Sequence, residues 1–138
     1  MRVVLDTNII ISALLFRGKA GAMVPLWQSQ QIKLLASGDM IREYARVLSY
    51  PKFHLEEKEI RELLNEEILP FVTPITVTHT PAVIAKDPSD DKFLACAVMG
   101  RAEWIVSGDR HLLDLKSHHK IPIVDLAVFL SHIISSHE

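Results

Sequence analysis

The sequence predicts an α/β protein: a parallel sheet with helices on both faces. Short apolar, β-branched runs recur at residues 2–5, 32–36, 104–107 and 121–124. Between them lie segments whose apolar residues follow helical spacing. The first run, Val3-Val4-Leu5, is apolar at successive positions, as a strand covered on both faces requires. Strands that alternate with helices from end to end favour parallel pairing through helical crossovers.

Residues 2–5 form the first strand and 8–16 the first helix, with Ile9, Ile10, Ala13 and Leu14 on one stripe. The β-branched Ile9-Ile10-Ile11 triplet weakens that helix's first turn. Residues 17–21 hold two glycines and two cations and read as a loop. A second helix is expected over 22–31, with Pro25 acceptable in its first turn. After the strand at 32–36, Ser37-Gly38-Asp39 can cap a helix over 40–49. Its Ile41, Tyr44, Ala45 and Leu48 make a buried stripe, and Pro51 marks its end.

Residues 56–69 read as a charged amphipathic helix with acids near its start, stopped by Pro70. The run 72–77 is β-branched but contains Pro74, which confines it to an edge or irregular strand. A linking stretch over 78–86 leads to Asp87-Pro88-Ser89-Asp90-Asp91, which opens a small-residue helix over 92–100. The strand at 104–107 runs into Gly108-Asp109 and a short helix through Leu115. A strand at 121–124 and a helix at 126–134 complete the chain. No repeat, low-complexity tract or composition shift divides it, so residues 1–138 read as a single domain.

Composition narrows the function classes. At 49% hydrophobic and 23% charged residues, the chain belongs with folded domains rather than disordered ones. Its 15 Lys plus Arg against 17 Asp plus Glu exclude holding duplex DNA by charge alone, but leave a local basic rim open. No apolar run approaches the roughly 18 residues of a membrane span. No basic segment followed by an apolar one opens the chain as a signal peptide would. The single Cys96 rules out an intrachain disulfide and suits a reducing, cytoplasmic compartment.

The acids carry the chemistry. Asp6 and Asp109 each stand just past a short apolar strand, and in a parallel sheet such positions share one edge of the domain. Asp90 and Asp91 open a helix that starts from the same edge, and Glu43 lies in the first turn of the helix over 40–49. Carboxylates brought together repel one another and need a counter-charge. A divalent cation supplies it, and Mg²⁺ is typically held by a few carboxylates plus substrate phosphates. Two such ions in a carboxylate cluster are the usual apparatus for hydrolysing a phosphodiester. Each acid also has a plainer reading. Asp6 and Asp109 can cap helices, Asp90 and Asp91 can serve the helix dipole, and Glu43 can pair with Arg46 on the surface.

Four segments together carry a resemblance. They are Val4-Leu5-Asp6-Thr7-Asn8, Glu43-Tyr44-Ala45-Arg46-Val47-Leu48, residues 87–97 from Asp87-Pro88 to Cys96-Ala97, and Val106-Ser107-Gly108-Asp109. In order and spacing they resemble the PIN-domain family, and within it the VapC-like toxin components of prokaryotic toxin–antitoxin systems. The resemblance implies a three-layer α/β/α sandwich around a five-stranded parallel sheet and a Mg²⁺- or Mn²⁺-dependent endoribonuclease activity. It assigns metal-binding and catalytic roles to Asp6, Glu43, Asp91 and Asp109. Asp91 is preferred to Asp90 because it precedes Ala95 by four residues, as the family's acid precedes its helix alanine. Asn8 and Ser107 would orient the acids, Asp6 would be the central ligand, and the helix cap would fall to Thr7 or Asn8. The implied partners are an RNA substrate, a cognate antitoxin and a second copy of the chain in a dimer, without a membrane.

Among the cations, Arg17 and Lys19 in the loop after the first helix are the expected RNA contacts. His118 and His119 read as solvent-facing, Cys96 as a packing residue, and Trp27 and Trp104 as core or interface. Two other functions stay open at this level. One is a PIN-fold module that binds RNA or protein without cleaving it. The other is phosphoryl transfer through Asp6, against which stands Asn8 where such enzymes commonly place a second aspartate.

Overall fold

Val3, Val4 and Leu5 are wholly buried, and the strand they form, β1 (Arg2–Leu5), lies inside the sheet. The computed structural model describes residues 1–16, 18–78 and 90–136. Arg17 and the stretch 79–89, which includes Asp87 and most of the expected linker, lie outside the described residues. The other strands are β2 (Lys33–Ala36), β3 (Val72–Pro74), β4 (Trp104–Val106), β5 (Ser117–His118) and β6 (Ile121–Val124). They form one six-stranded sheet in the order β3-β2-β1-β4-β6-β5. From β3 to β6 every pairing is parallel, with Val3 opposite Leu34 on one side and Leu5 opposite Val106 on the other.

That order makes the site. The chain steps outward from β1 to β2 and β3, then returns to the other flank of β1 for β4 and continues to β6. The order reverses between β1 and β4, and in open α/β sheets the crevice for ligands lies past the carboxyl ends of strands at such a switch point.

Helices α1 (Thr7–Leu15), α2 (Met23–Gln28), α3 (Gly38–Leu48), α4 (Glu57–Glu62), α5 (Asp91–Met99), α6 (Arg110–Leu113) and α7 (Leu126–Ser136) complete a three-layer α/β/α sandwich. α5 packs on β1, β2 and β4, and α1 packs on α3. Trp27, Tyr44 and Phe129 are the largest wholly buried side chains, and Cys96 is buried with them. Trp104 is half-buried and meets Phe129 and His132 of α7, with ring centroids 6.0 and 4.7 Å away. Among the described residues no single helix is long and apolar enough to cross a membrane.

The sheet has six strands where five were expected. The extra one, β5, is antiparallel to β6, with Ser117 opposite Pro122 and His118 opposite Ile121. His119 and Lys120 form the turn between them, both at positive φ (48° and 66°). Such two-residue turns normally announce themselves by Asn-Gly or Gly. Here two residues with full side chains take the left-handed conformation, so the usual sequence signal is absent. His118, expected in solvent, is half-buried in this strand, while His119 is exposed.

The helix expected over 56–69 is likewise not uniform. α4 opens with a capping box in which the Glu56 amide donates to the Glu59 carboxylate at 3.0 Å. It then widens into a π-helical segment, Leu63–Ile68, and tightens into a 3₁₀ turn, Leu69–Phe71, that holds Pro70. The Trp27 indole donates to the Glu67 carbonyl at 2.9 Å, giving a buried polar hydrogen a partner on this irregular stretch. β3 is an edge strand, as Pro74 required, and Pro74 is its last residue.

Gly100, at the end of α5, is enclosed. A Cβ there would stand 2.9 Å from the Cys96 carbonyl oxygen and 2.9 Å from Leu35 Cδ1. Gly100→Ala is therefore expected to destabilise the fold by about 1–3 kcal/mol. Urea unfolding of the two proteins measures it.

Candidate active site

Asp6 follows β1 directly and is itself the N-cap of α1, accepting the Ile9 amide at 3.0 Å through Oδ1. The cap does not pass to Thr7 or Asn8. Asp6 Oδ2 accepts the Ser107 hydroxyl and the Gly108 amide, the latter at 3.2 Å. Ser107, wholly buried just past β4, accepts the Asp109 amide at 2.9 Å with the same hydroxyl. One side chain thus joins the first acid to the last. Asp109 caps α6, taking the His111 amide at 2.7 Å and the Leu112 amide at 3.4 Å.

Asp6 is only 4% exposed, and burial pushes its pKa above the ordinary carboxylate value. The donors Ser107, Ile9 and Gly108 oppose that rise, and the neighbouring Asp109 adds to it.

Glu43 belongs to α3, which starts at Gly38 under a Ser37 cap rather than at residue 40. The acid therefore sits in the second turn, not the first. Its Oε1 accepts Lys92 Nζ at 2.6 Å and an Arg46 guanidinium nitrogen at 3.2 Å, and its Oε2 accepts the Thr7 hydroxyl.

Asp6, Asn8, Glu43, Asp90 and Asp109 line one cavity of about 270 Å³, with Arg46 and Lys52 among its walls. Of the two adjacent acids, Asp90 lines it; Asp91, also buried, does not. Asp90 stands at the N-cap position of α5 without using its side chain as the cap. Ligand atoms of Asp90, Asp109 and His111 all lie within 4.8 Å of one another. Two carboxylates and an imidazole at that spacing, beside a third buried carboxylate, form a donor set that fits a divalent cation.

Two residues of this region were not singled out from the sequence. His111 follows Asp109 by two positions in a helix that Asp109 caps, and a His in that first turn was the available signal. Lys92 meets Glu43 across 49 residues of chain, and nothing local announces that contact. Lys19, expected at the RNA, is not among the residues lining the acidic cavity. It lines an apolar depression with Ala127, Leu130 and Ile134 of α7. The larger groove, about 680 Å³, runs beside Leu14, Phe16, Val24 and Leu63, and of the four acids around the cavity it holds none.

A family model described as PIN domain matches residues 2–111, a span that carries every acid of the cavity and His111. The chain belongs to the PIN-domain family. An uncharacterised protein of Methanocaldococcus jannaschii is 28% identical over 124 residues, covering 87% of this chain and 78% of that protein. Two solved structures share the PIN fold at low identity. VapBC2 from Rickettsia felis, bound to a DNA fragment from its promoter, superposes with a TM-score of 0.60 at 14% identity. FitAcB from Neisseria gonorrhoeae does so with a TM-score of 0.58 at 17% identity. Each match covers 91% of this chain and 98% of the other.

Behind the cavity, Tyr44 is wholly buried and its hydroxyl has no hydrogen-bond partner among the described residues. Burial first, then Cys96, Asp6 and Glu43, raise its pKa well above the usual phenol value, so it stays neutral. The Cys96 thiol is pushed up to about 12 by burial and is inert at neutral pH. An unsatisfied buried hydroxyl is a standing cost. Tyr44→Phe is expected to unfold at the same or a higher urea concentration, with a gain of up to about 1–2 kcal/mol.

Proposed function

We propose that this PIN-domain protein is a metal-dependent endoribonuclease, formed by residues 1–138 as one domain. The observation that carries the reading is the meeting of Asp6, Glu43, Asp90 and Asp109 in one cavity at the switch point of the sheet. Asp90, Asp109 and His111 would hold a Mg²⁺ or Mn²⁺ ion, with Asp6 beside them. When bound, the ion supplies positive charge to the scissile phosphate and acidifies the attacking water.

The chain's own residues supply the rest. Ser107, Gly108 and the Ile9 amide fix Asp6, whose carboxylate would be placed to accept a proton from water in the cavity. On this reading Asp90, rather than the Asp91 that the resemblance implied, would be the third acid. Arg46 and Lys52 on the cavity wall would receive the phosphate backbone. Glu43, with its oxygens engaged by Lys92, Arg46 and Thr7, shapes the wall between α3 and α5.

Likeness to VapBC2 and FitAcB supports a role as the toxin of a toxin–antitoxin pair, working in the cytoplasm with a cognate antitoxin and a second copy of the chain.

Purified protein is expected to cleave single-stranded RNA with Mn²⁺ and to stop on addition of EDTA. Asp90→Asn and Asp109→Asn should each lower the rate by about 10²-fold or more. RNA binding without metal-dependent cleavage would instead make it a non-catalytic module.

pH gives a further check. A raised folded pKa means that Asp6 contributes stability below its unfolded value of 3.8 and loses it as pH rises through the folded value. A bound cation favours the ionised form. The rise in Tm caused by Mn²⁺ is therefore expected to grow as pH rises, and to vary less with pH in Asp6→Asn. Differential scanning fluorimetry reads both.

A further inference from the structure

The nuclease reading leaves one charged contact in the cavity wall without a role, and the inference drawn from it rests on that reading. Lys92 is the second residue of α5, two positions after Asp90. Its ammonium meets Glu43 Oε1 at 2.6 Å, and the two side chains are only 19% and 12% exposed. The same ammonium stands 5.8 Å from the centre of the Phe93 ring, which keeps it against the wall.

Glu43 does not need Lys92 to be held. Arg46, one helical turn along on α3, already pairs with Oε1, and Thr7 occupies Oε2. Arg46 is 63% exposed and screened by solvent, whereas the Lys92 pair is largely withdrawn from water. Desolvating an ammonium is costly and persists where it meets a charge that would otherwise be unbalanced. Here that charge is the Glu43 carboxylate, which lies outside the Asp90–Asp109–His111 group. Ser107, by contrast, links Asp6 to Asp109.

We propose that the cavity takes a single divalent cation, on the side of Asp90, Asp109 and His111, and that the Lys92 ammonium replaces a second one at Glu43. A second cation on Glu43 Oε1 would have to displace the ammonium held there at 2.6 Å, and one on Oε2 would compete with the Thr7 hydroxyl. Lys92 is then a positioning residue acting through Glu43. It supplies permanent positive charge at that carboxylate, independent of metal concentration.

The test counts ions rather than turnover. Mn²⁺ is titrated into the full chain by calorimetry, with free Mn²⁺ followed by electron paramagnetic resonance. Wild type is expected to bind one ion per chain, Lys92→Met two, and Lys92→Arg one. Glu43→Gln is expected to leave the affinity of the wild-type ion within about 3-fold, while Asp90→Asn weakens it by about 10-fold or more. Two ions on the wild type, or one on a folded Lys92→Met, overturns the proposal and leaves the nuclease reading standing. A loss of about 10-fold in Glu43→Gln also overturns it, because Glu43 would then be a ligand of the first ion; this holds even if Lys92→Met does not fold. Absence of Mn²⁺ binding by the wild type overturns the nuclease reading itself, and the role of Lys92 with it.

Discussion

A carboxylate sits at the end of a strand whose last three residues are wholly buried, and the rest of the site is arranged to keep it there. Asp6 cannot turn to solvent without releasing the first turn of α1, because one oxygen holds the Ile9 amide. Its other oxygen is tied across the switch point to Ser107 and Gly108 after β4. The bond therefore joins the two strands whose ends frame the crevice. It also sets the position of Asp109, whose amide donates to the Ser107 hydroxyl. Buried polar groups persist only where their hydrogen-bonding capacity is met, and here that requirement dictates how β1, β4, α1 and α6 start and stop.

Charge is managed at two scales. Three of the acids stand at the N-termini of helices: Asp6 before α1, Asp90 before α5 and Asp109 before α6. Unpaired amides there offer partial positive charge to carboxylates. The fourth acid, Glu43, is inside a helix and lacks that support, and it is the one paired with a largely buried lysine. The two devices differ in kind. At Asp90 the helix terminus moderates repulsion without a side-chain cap bond, and Asp90 and Asp109 stay near His111 with their ligand atoms close together. A lysine occupies the oxygen it neutralises.

The architecture was largely legible in the chain because its signals are local. The Val3-Val4-Leu5 run, the Ser37 cap and the Ile41-Tyr44-Ala45-Leu48 stripe each lie within a few residues, and α3 forms with Tyr44 and Leu48 of that stripe buried and Ile41 and Ala45 half-buried. Pro74 marked an edge strand for the same reason. Where local rules were broken, reading failed. β5 depends on two non-glycine residues held at positive φ by the closing of a hairpin, and the π-helical segment Leu63–Ile68 follows packing, with a Trp27 indole seated on its backbone. Neither feature has a composition that would announce it.

For the site, the sequence by itself determined that acids would follow β1 and β4 and open α5, since strand ends and helix starts can be read from runs and caps. Only the tertiary structure decided which atoms share the cavity. Asp90 and Asp91 are adjacent, and helix phase at the start of α5 sends one to the cavity wall and not the other. His111 comes within ligand distance of Asp90, and Lys92 finds Glu43 because α3 and α5 pack side by side. The Asp6 cap was assigned to its neighbours because a single carboxylate was expected to do one thing. Its two oxygens face different directions, and the fold gives each its own donors: the first turn of α1 for one, the end of β4 for the other.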